Sequence, residues 1–276
     1  MKALLTVEDL RLRYPGRGFR NTGPEVLQGI SLEIAAGETL GLVGESGSGK
    51  TTLGRAVLGL AEPTGGAIRF DGRDITHLRG RERRGLARDI QVIFQDPYTS
   101  LNPALRIEDI LAEPLIGQGV DPKEARKSVG ALLDSVGLPS DSIHRYPREF
   151  SGGQRQRVAI ARALALKPKL IVCDEPVSAL DLTTQAVVLD LLVDLQRRTG
   201  VAYLFITHDL AVVRHISHRV AVMYRGGIVE QGPVAQVTDH PQDDYTRRLI
   251  LAAPTADPDR QRERREARRL LIGSSR

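Results

Sequence analysis

A glycine-rich run, residues 44–52, constrains the fold of this chain more than any other feature. It fits the spacing G-x-x-x-x-G-K-[ST], it follows an apolar run at 39–43 that predicts a buried strand, and residues 53–58 after it predict a helix. Glycines at such a turn let backbone N–H groups point at one anion, and the helix N-terminus adds partial positive charge. The alternative, a glycine-rich surface turn, leaves the coincidence of strand, Lys-Thr and helix unexplained. The run therefore predicts a site for a nucleoside triphosphate.

Two side chains in this run suit a triphosphate and its metal ion. Lys50 can reach the β- and γ-phosphates, and the hydroxyl of Thr51 can ligate Mg²⁺. The predicted nucleotide-binding residues of this phosphate loop are Gly44, Glu45, Ser46, Gly47, Ser48, Gly49, Lys50, Thr51 and Thr52.

Composition narrows the class of protein. A chain of 276 residues with 41% hydrophobic residues suffices for one large or two small domains. Cys173 is the only cysteine, which excludes an internal disulfide and fits a reducing compartment. No apolar run could span a bilayer and the N-terminus has no signal-like segment, so we expect a cytoplasmic protein. The net charge is +5, and for the arginine-rich segment 260–276 a solvated tail is favoured over contact with nucleic acid or lipid.

Alternating strand and helix patterns predict an α/β fold. Short apolar runs separated by helical patterns are typical of a mostly parallel sheet that is covered on both faces. The pattern changes after Gln95, and residues 96–165 predict a helical insertion. Within it, Asp121 is a predicted N-cap, and one helix is predicted from there to Gly137. Its apolar face is predicted to contain Ala125, Val129, Leu132, Leu133 and Val136.

Two further patterns add groups that a triphosphate site needs. An apolar strand pattern ends in Asp174 and Glu175, and such strand ends open at the ligand crevice of a parallel sheet. Asp174 can hold Mg²⁺ and Glu175 can orient or deprotonate water, although acids in this place are also typical of a simple turn. The residues Ser151, Gly152, Gly153 and Gln154 allow a capping box, and they predict either a plain helix cap or a second anion-binding helix start.

In this order the motifs resemble those of the nucleotide-binding subunits of ATP-binding cassette (ABC) transporters, over residues 4–254. The resemblance implies an α/β fold of the P-loop NTPase class, with a RecA-like, mostly parallel sheet core, an N-terminal antiparallel β region and an inserted helical subdomain. It implies a core at 1–95 and 166–240, a helical signature subdomain at 96–165 and a basic tail at 241–276. ATP and Mg²⁺ are the implied cofactors.

The resemblance also implies roles for single residues. Residues 44–52 match the Walker A loop, Asp174 and Glu175 match Walker B, and residues 151–154 match the signature, with Phe150 where leucine is usual. Catalytic roles are implied for Glu175, His208 and Lys50, nucleotide contacts for the Walker A and signature residues and for Tyr14, Gln95 and Asp181, and metal ligation for Thr51, Gln95 and Asp174.

Three of these roles have structural alternatives. Tyr14 is expected to stack on adenine, but the insertion 15–24 could shift its loop. Gln95 is expected to sense Mg²⁺ and the membrane subunits, and in a purely structural reading it is a turn residue. His208 is expected to contact the γ-phosphate, whereas a histidine at a strand end is otherwise most often structural.

Finer motifs indicate a subfamily. Residues 94–103, 175–181 and 240–247 look like those of the di- and oligopeptide (and nickel) importers, although Asp243 and Asp244 stand where His-Pro is common. The resemblance implies an ATPase that energises a peptide-type importer, peripheral at the cytoplasmic face of the cell membrane. Its implied partners are two membrane permease subunits, a second ABC ATPase subunit and, indirectly, an extracytoplasmic substrate-binding protein, and the loop 98–103 is expected to receive a permease helix. No nucleic-acid partner and no iron–sulfur cluster are expected.

Other functions stay open on the sequence alone. The subfamily also includes importers of nickel and other small solutes. A non-transport ABC ATPase, as in DNA repair or translation, usually carries longer or duplicated cassettes. A catalytically inactive regulatory module is disfavoured by intact Lys50, Asp174, Glu175 and His208.

Overall fold

Two β-sheets form the frame of the chain. The computed structural model describes residues 2–15, 22–96 and 100–252. The strands are β1 (Ala3–Pro15), β2 (Thr22–Ala35), β3 (Thr39–Val43), β4 (Gly65–Phe70), β5 (Arg73–Asp74), β6 (Ile90–Ile93), β7 (Leu170–Asp174), β8 (Ala202–Ile206), β9 (Arg219–Tyr224) and β10 (Gly227–Pro233). Within the described residues, one sheet has the order β2-β1-β4-β5 and the other the order β10-β9-β3-β8-β7-β6.

The six-stranded sheet is mostly parallel, as predicted. Strands β9, β3, β8, β7 and β6 are parallel to their neighbours, and only the edge strand β10 is antiparallel. Every residue of β3 and of β8 is buried, which is the pattern of strands covered on both faces. Cys173 of β7 is fully buried. The carboxyl ends of the parallel strands meet at one edge of the sheet, and the predicted site residues follow these ends.

The N-terminal sheet is antiparallel, which agrees with the antiparallel β region that the resemblance implied. Strand β1 pairs with β2 and with β4 in antiparallel register. Its inward residues Leu5 and Leu10 are fully buried and belong to the same core cluster as Leu40 and Leu42 of β3. The two sheets therefore share one hydrophobic core, which fixes β1 against the strand that leads into the phosphate loop.

Helices cover the larger sheet and form the insertion. They are α1 (Lys50–Val57), α2 (Gly80–Leu86), α3 (Ile107–Gly117), α4 (Pro122–Lys127), α5 (Val129–Ser135), α6 (Gly152–Leu164), α7 (Leu182–Thr199), α8 (Leu210–Ile216), α9 (Val234–Asp239) and α10 (Asp244–Ala252), with 3₁₀ turns at Ser140–His144 and Pro147–Glu149. The predicted helical insertion corresponds to α3 to α6.

The predicted cap of the insertion helix is present, but the helix is shorter than predicted. Asp121 Oδ1 accepts hydrogen bonds from the backbone N–H groups of Lys123 (2.9 Å) and Glu124 (3.3 Å). The chain then forms two helices instead of one, because α4 ends at Lys127. At the junction the Ser128 hydroxyl donates to the carbonyl of Ala125 (2.7 Å), a local bond that competes with the helical pattern.

The C-terminal region contains a helix that the sequence analysis did not predict. The segment from residue 241 onward was expected to be a basic tail, yet α10 spans Asp244–Ala252 and packs on the larger sheet. Its Tyr245 is buried in a cluster with Val43 of β3 and Val222 of β9. The arginine-rich segment 260–276 lies outside the described residues.

Packing within the insertion gives a test of the fold. Leu133 is fully buried in the core cluster that the insertion shares with β7, β8 and α7, whereas Leu132, also predicted to be on the apolar face, is only partly buried. We expect Leu133→Ala to lower the free energy of unfolding by about 2–5 kcal/mol and Leu132→Ala to lower it clearly less. Urea unfolding of both variants measures the difference. Equal losses would contradict the burial of Leu133 relative to Leu132.

Candidate active site

The phosphate loop joins β3 to α1 and approaches other backbone so closely that glycine is required. Gly44 has φ +153°, and a Cβ atom there would lie 2.1 Å from the carbonyl oxygen of Met223 in β9. Gly49, with φ +108°, would place a Cβ 2.9 Å from the carbonyl oxygen of Val26. Both positions combine a backbone conformation that favours glycine with a contact that excludes any side chain. The loop is therefore held tightly between β9 and β2.

Lys50, the first residue of α1, is buried inside this loop. Its Nζ donates to the carbonyl oxygens of Gly44 (2.7 Å) and Glu45 (2.9 Å), and the residue is 6% exposed. Burial lowers the pKa of the Lys50 ammonium below its ordinary value, and the nearby Glu175 and Asp174 carboxylates oppose that shift. The ammonium is bound by carbonyl groups that phosphate oxygens could replace.

Thr51 and Asp174 face each other beneath the loop. The Thr51 hydroxyl donates to Asp174 Oδ1 at 3.0 Å. Burial raises the pKa of the Asp174 carboxyl above its ordinary value, the hydrogen bond from Thr51 lowers it, and the negative charge of Glu175 raises it again. Two hard oxygen donors thus lie together, which is the donor chemistry that Mg²⁺ prefers. Across the described ranges, no group of three or more His, Cys, Asp or Glu residues is placed to hold a metal by itself.

Glu175 and His208 come together where β7 and β8 end. The register pairs Asp174 with Ile206, so the residues that follow these two strands are neighbours. Glu175 Oε1 and His208 Nδ1 are 3.2 Å apart. Glu175 has φ +49°, an unusual conformation for a residue with a side chain. Its N–H donates to Ile206 O (2.9 Å), and Ser178 Oγ donates to its carbonyl (3.0 Å).

Tyr14 lies next to the phosphate loop, and Gln95 lies at the edge of the sheet where β6 and β7 end. The Tyr14 hydroxyl is 3.5 Å from the Thr52 hydroxyl at the end of the phosphate loop, so the predicted adenine platform lies next to α1. Gln95 follows β6 and is exposed. Because Ile93 pairs with Cys173 of β7, Gln95 comes two residues later at the same sheet edge as Glu175. The predicted roles of both residues, adenine stacking and Mg²⁺ ligation, stay predictions.

The predicted signature residues form a separate group with Asp181. Ser151 Oγ accepts from Gln154 N (3.3 Å) and Gln154 Oε1 accepts from Ser151 N (2.9 Å), which confirms the capping box. Asp181 caps α7 by accepting from the N–H (3.0 Å) and hydroxyl (2.6 Å) of Thr184, and these bonds lower its pKa. A Cβ on Gly153 would lie 2.3 Å from Thr184 Cγ2, so the starts of α6 and α7 pack directly on each other.

One contact to the phosphate loop was not predicted. The backbone N–H of Glu45 donates to the hydroxyl of Tyr245 at 3.0 Å. Tyr245 is 200 residues away in the chain and lies in α10, in a region that the sequence analysis assigned to a tail. The resemblance of residues 240–247 to importer tails was the only signal for this segment, and it does not indicate a contact with the loop.

Comparison with known proteins identifies the family. The ABC transporter family model matches residues 27–178 of the chain. The chain belongs to the ABC transporter family. It is similar to the glutathione import ATP-binding protein GsiA of Escherichia coli (strain K12), with 53% identity over 267 residues, covering 95% of this chain and 43% of the relative. It is also similar to the oligopeptide transport ATP-binding protein OppD of Mycobacterium tuberculosis, with 53% identity over 234 residues, covering 85% of this chain and 38% of the relative. The chain thus spans less than half the length of these curated relatives.

Two solved structures share the fold. One is cbiO1 from Clostridium perfringens, part of the ABC transporter complex cbiONQ, with TM-score 0.78 and 30% identity over 87% of this chain and 92% of that chain. The other is a dimer of the ATP-binding cassette MJ0796 bound to ADP and Pi, with TM-score 0.73 and 30% identity over 83% of this chain and 98% of that chain. The predicted ABC cassette fold is confirmed. Among the described helices, none is long and apolar enough to cross a membrane.

The burial of Asp174 generates a stability test. Its pKa in the folded state is raised, so the ionised carboxylate destabilises the fold at neutral pH, and this cost disappears as pH falls to the unfolded pKa. We expect Asp174→Asn to raise the Tm without nucleotide at pH 7.5, and the difference from wild type to vanish in acid.

The control variant is Asp181→Asn. The pKa of Asp181 is lowered by the Thr184 hydrogen bonds, so its ionised form is stabilising and the change should lower the Tm slightly. The Tm values of wild type, Asp174→Asn and Asp181→Asn are measured by thermal unfolding at pH 7.5 and near pH 4. A lower Tm for Asp174→Asn at pH 7.5 would contradict the assigned sign.

Proposed function

We propose that this chain is the ATP-binding and ATP-hydrolysing subunit of an ABC importer of peptides or related small solutes. The observation that carries the proposal is the meeting of Glu175 and His208, 3.2 Å apart, at the strand ends that border the phosphate loop. An importer of peptide type is supported by the relatives, which are named for glutathione import and oligopeptide transport. As in those proteins, the nucleotide would be ATP.

Binding of ATP would use the groups described above. The triphosphate lies along the N–H groups of residues 46–52, and Lys50 exchanges its bonds to the loop carbonyls for bonds to phosphate oxygens. Tyr14 stacks on adenine. Thr51 and Asp174, with Gln95 from the neighbouring strand end, would hold Mg²⁺, which neutralises charge on the phosphates. The remaining ligand positions are left to phosphate oxygens and water.

Hydrolysis then needs a water molecule placed in line with the γ-phosphorus. Glu175 accepts a hydrogen bond from this water and takes its proton as the oxygen attacks. His208 is within hydrogen-bond distance of Glu175, and we propose that it donates to the γ-phosphate. Lys50 stabilises the charge that develops on the phosphate oxygens. The strained backbone of Glu175 is fixed on both sides by hydrogen bonds, so its carboxylate is held ready before the substrate binds.

A second ATPase subunit, the same or paralogous, would complete the site. Within the described part of the chain, no hydrogen bond or ion pair joins the signature group, residues 151–154, to the phosphate loop of the same chain. We infer that Ser151, Gly152, Gly153 and Gln154 of one subunit bind the γ-phosphate held by the other, through the N-terminus of α6. Asp181 packs against this group through Thr184 and lies at the same face.

The membrane partner would bind beside Gln95. A cavity of about 400 Å³ lies between β6 and the insertion, lined among others by Phe94, Glu113 and Arg162. Phe94 is 43% exposed, which makes it an apolar contact for a permease helix. From the sequence, the loop 98–103 was expected to form this contact. Its residues Ser100 and Leu101 line the same cavity, and Leu101 is 1% exposed and lies in the same core cluster as Leu133. Residues 97–99 lie outside the described residues.

A permease helix bound in this cavity could influence nucleotide binding, because α6 extends from the cavity to the signature residues. Arg162 lies in α6, where it donates to Glu113 (2.8 Å) and to the carbonyl of Ser100 (3.2 Å), and the first residues of α6 are the signature. We propose that residues 96–165 rotate as a body against the core at 1–95 and 166–240. By linkage, ATP would then bias the permease as the permease biases ATP binding.

In this proposal the chain works at the cytoplasmic face of the cell membrane. It would be peripheral there, bound to two permease subunits that receive the solute from an extracytoplasmic binding protein. Copurification with permease subunits separates this proposal from a non-transport ABC ATPase. ATP turnover separates it from an inactive regulatory module.

The catalytic carboxylate provides the direct test. Glu175→Gln keeps the shape of the side chain and removes the base, so we expect ATP hydrolysis to fall by about 10²-fold or more while ATP binding is retained. With ATP, the variant should accumulate as a dimer, measured by gel filtration. The control is Glu33→Gln, the same change on the exposed edge of β2. Near-normal turnover of Glu175→Gln would mean that another group positions the water.

The cavity at Phe94 tests the coupling. A charge at this position opposes docking of an apolar helix, so Phe94→Asp should abolish assembly with the permease and leave basal ATPase of the isolated subunit within about twofold. The control is Val120→Asp, which changes a residue of similar exposure, 38%, outside that cavity. Assembly and ATPase are measured for both variants. Loss of ATPase with intact assembly would mean that Phe94 serves the nucleotide site.

A further inference from the structure

One peptide group of the phosphate loop is held from two sides. This is the peptide between Gly44 and Glu45. Its carbonyl oxygen accepts from Lys50 Nζ at 2.7 Å, and its N–H donates to the hydroxyl of Tyr245 at 3.0 Å. The space beside Gly44 is closed by the carbonyl of Met223. The orientation of this peptide therefore depends on a catalytic lysine at one end and on a residue of α10 at the other.

Tyr245 is fixed independently of the loop. It is 5% exposed, and its ring stacks on that of Tyr224, with the centroids 4.1 Å apart and the planes at 30°. The turn before α10 is bound to β10, because the Glu230 carboxylate accepts from the N–H groups of Gln242 (2.8 Å) and Asp243 (3.1 Å). Asp243 Oδ1 in turn accepts from Tyr245 N (2.8 Å). These contacts fix the hydroxyl of Tyr245 before any nucleotide binds.

We propose that Tyr245 is a positioning residue of the nucleotide site, which keeps the peptide between Gly44 and Glu45 in the orientation that binds phosphate. The inference rests on the proposed function. When Lys50 moves its bonds to phosphate oxygens, the carbonyl of Gly44 loses its donor. The bond from the N–H of Glu45 to Tyr245 keeps this peptide in place while Lys50 changes partners, until the bound triphosphate orders the loop. The segment 243–252, outside the matched range of the family model, would thus be part of the nucleotide site.

Tyr245→Phe tests this proposal because it removes the hydroxyl and keeps the ring, its burial and its stacking. Without an acceptor for the N–H of Glu45, the loop is less ordered before ATP binds, and binding must order it. We expect the Kd and the KM for ATP to rise roughly threefold to tenfold, the effect of one lost hydrogen bond. We expect kcat to stay within about twofold, because bound triphosphate itself orders the loop. The control is Tyr224→Phe, in the stacked partner ring, which should leave both constants unchanged.

Each outcome decides the question. A raised KM with a preserved kcat for Tyr245→Phe alone supports the proposal. An unchanged Kd and KM for Tyr245→Phe overturn it. Equal effects of Tyr245→Phe and Tyr224→Phe also overturn it, because the two rings would then act only through their packing. A lower Tm without nucleotide, with no change in the KM of the folded fraction, would show a structural role only and also overturn it. If wild type itself neither binds nor hydrolyses ATP, the proposed function fails instead.

Discussion

The burial of one cation organises the centre of this molecule. An ammonium group removed from water is stable only when oxygen atoms surround it, and Lys50 is surrounded by carbonyls of its own loop and by nearby carboxylates. For the loop to fold back on the lysine, Gly44 must adopt φ +153° against the backbone of β9. β3, β9 and α1 meet at this loop, because β3 leads into it, α1 begins with Lys50, and the carbonyl of Met223 in β9 lies against Gly44.

Burial of the charged groups Lys50 and Asp174 in this enclosure lowers the stability of the fold. Burial lowers the pKa of Lys50 and raises that of Asp174, so each charge is disfavoured by its surroundings and is partly compensated by the other. In the proposed function, a triphosphate with Mg²⁺ would supply opposite charges for both groups, and its binding would offset part of the cost of burying them.

Local rules made much of the structure predictable from the sequence. The strand before the phosphate loop, the Asp121 cap and the capping box at Ser151 each depend on residues close in the chain, and all three are present. The features that could not be predicted depend on contacts distant in sequence. Tyr245 reaches a loop 200 residues earlier, and the burial of Leu101 depends on how the insertion packs on β6. Composition and periodicity carry no information about such pairings.

Gly153 brings two motifs that are distant in sequence into direct contact. Glycine there lets α6 approach α7 so closely that a single methyl group would overlap Thr184. Thr184 is also the residue that binds the Asp181 cap, so the signature and the cap of α7 are joined through one side chain. A rotation of residues 96–165 as a body against the core would therefore have to shift or break the contact between Gly153 and Thr184, because Thr184 belongs to the core. A rotation of the insertion, driven from the cavity at Arg162, would change both groups at the face offered to a second subunit.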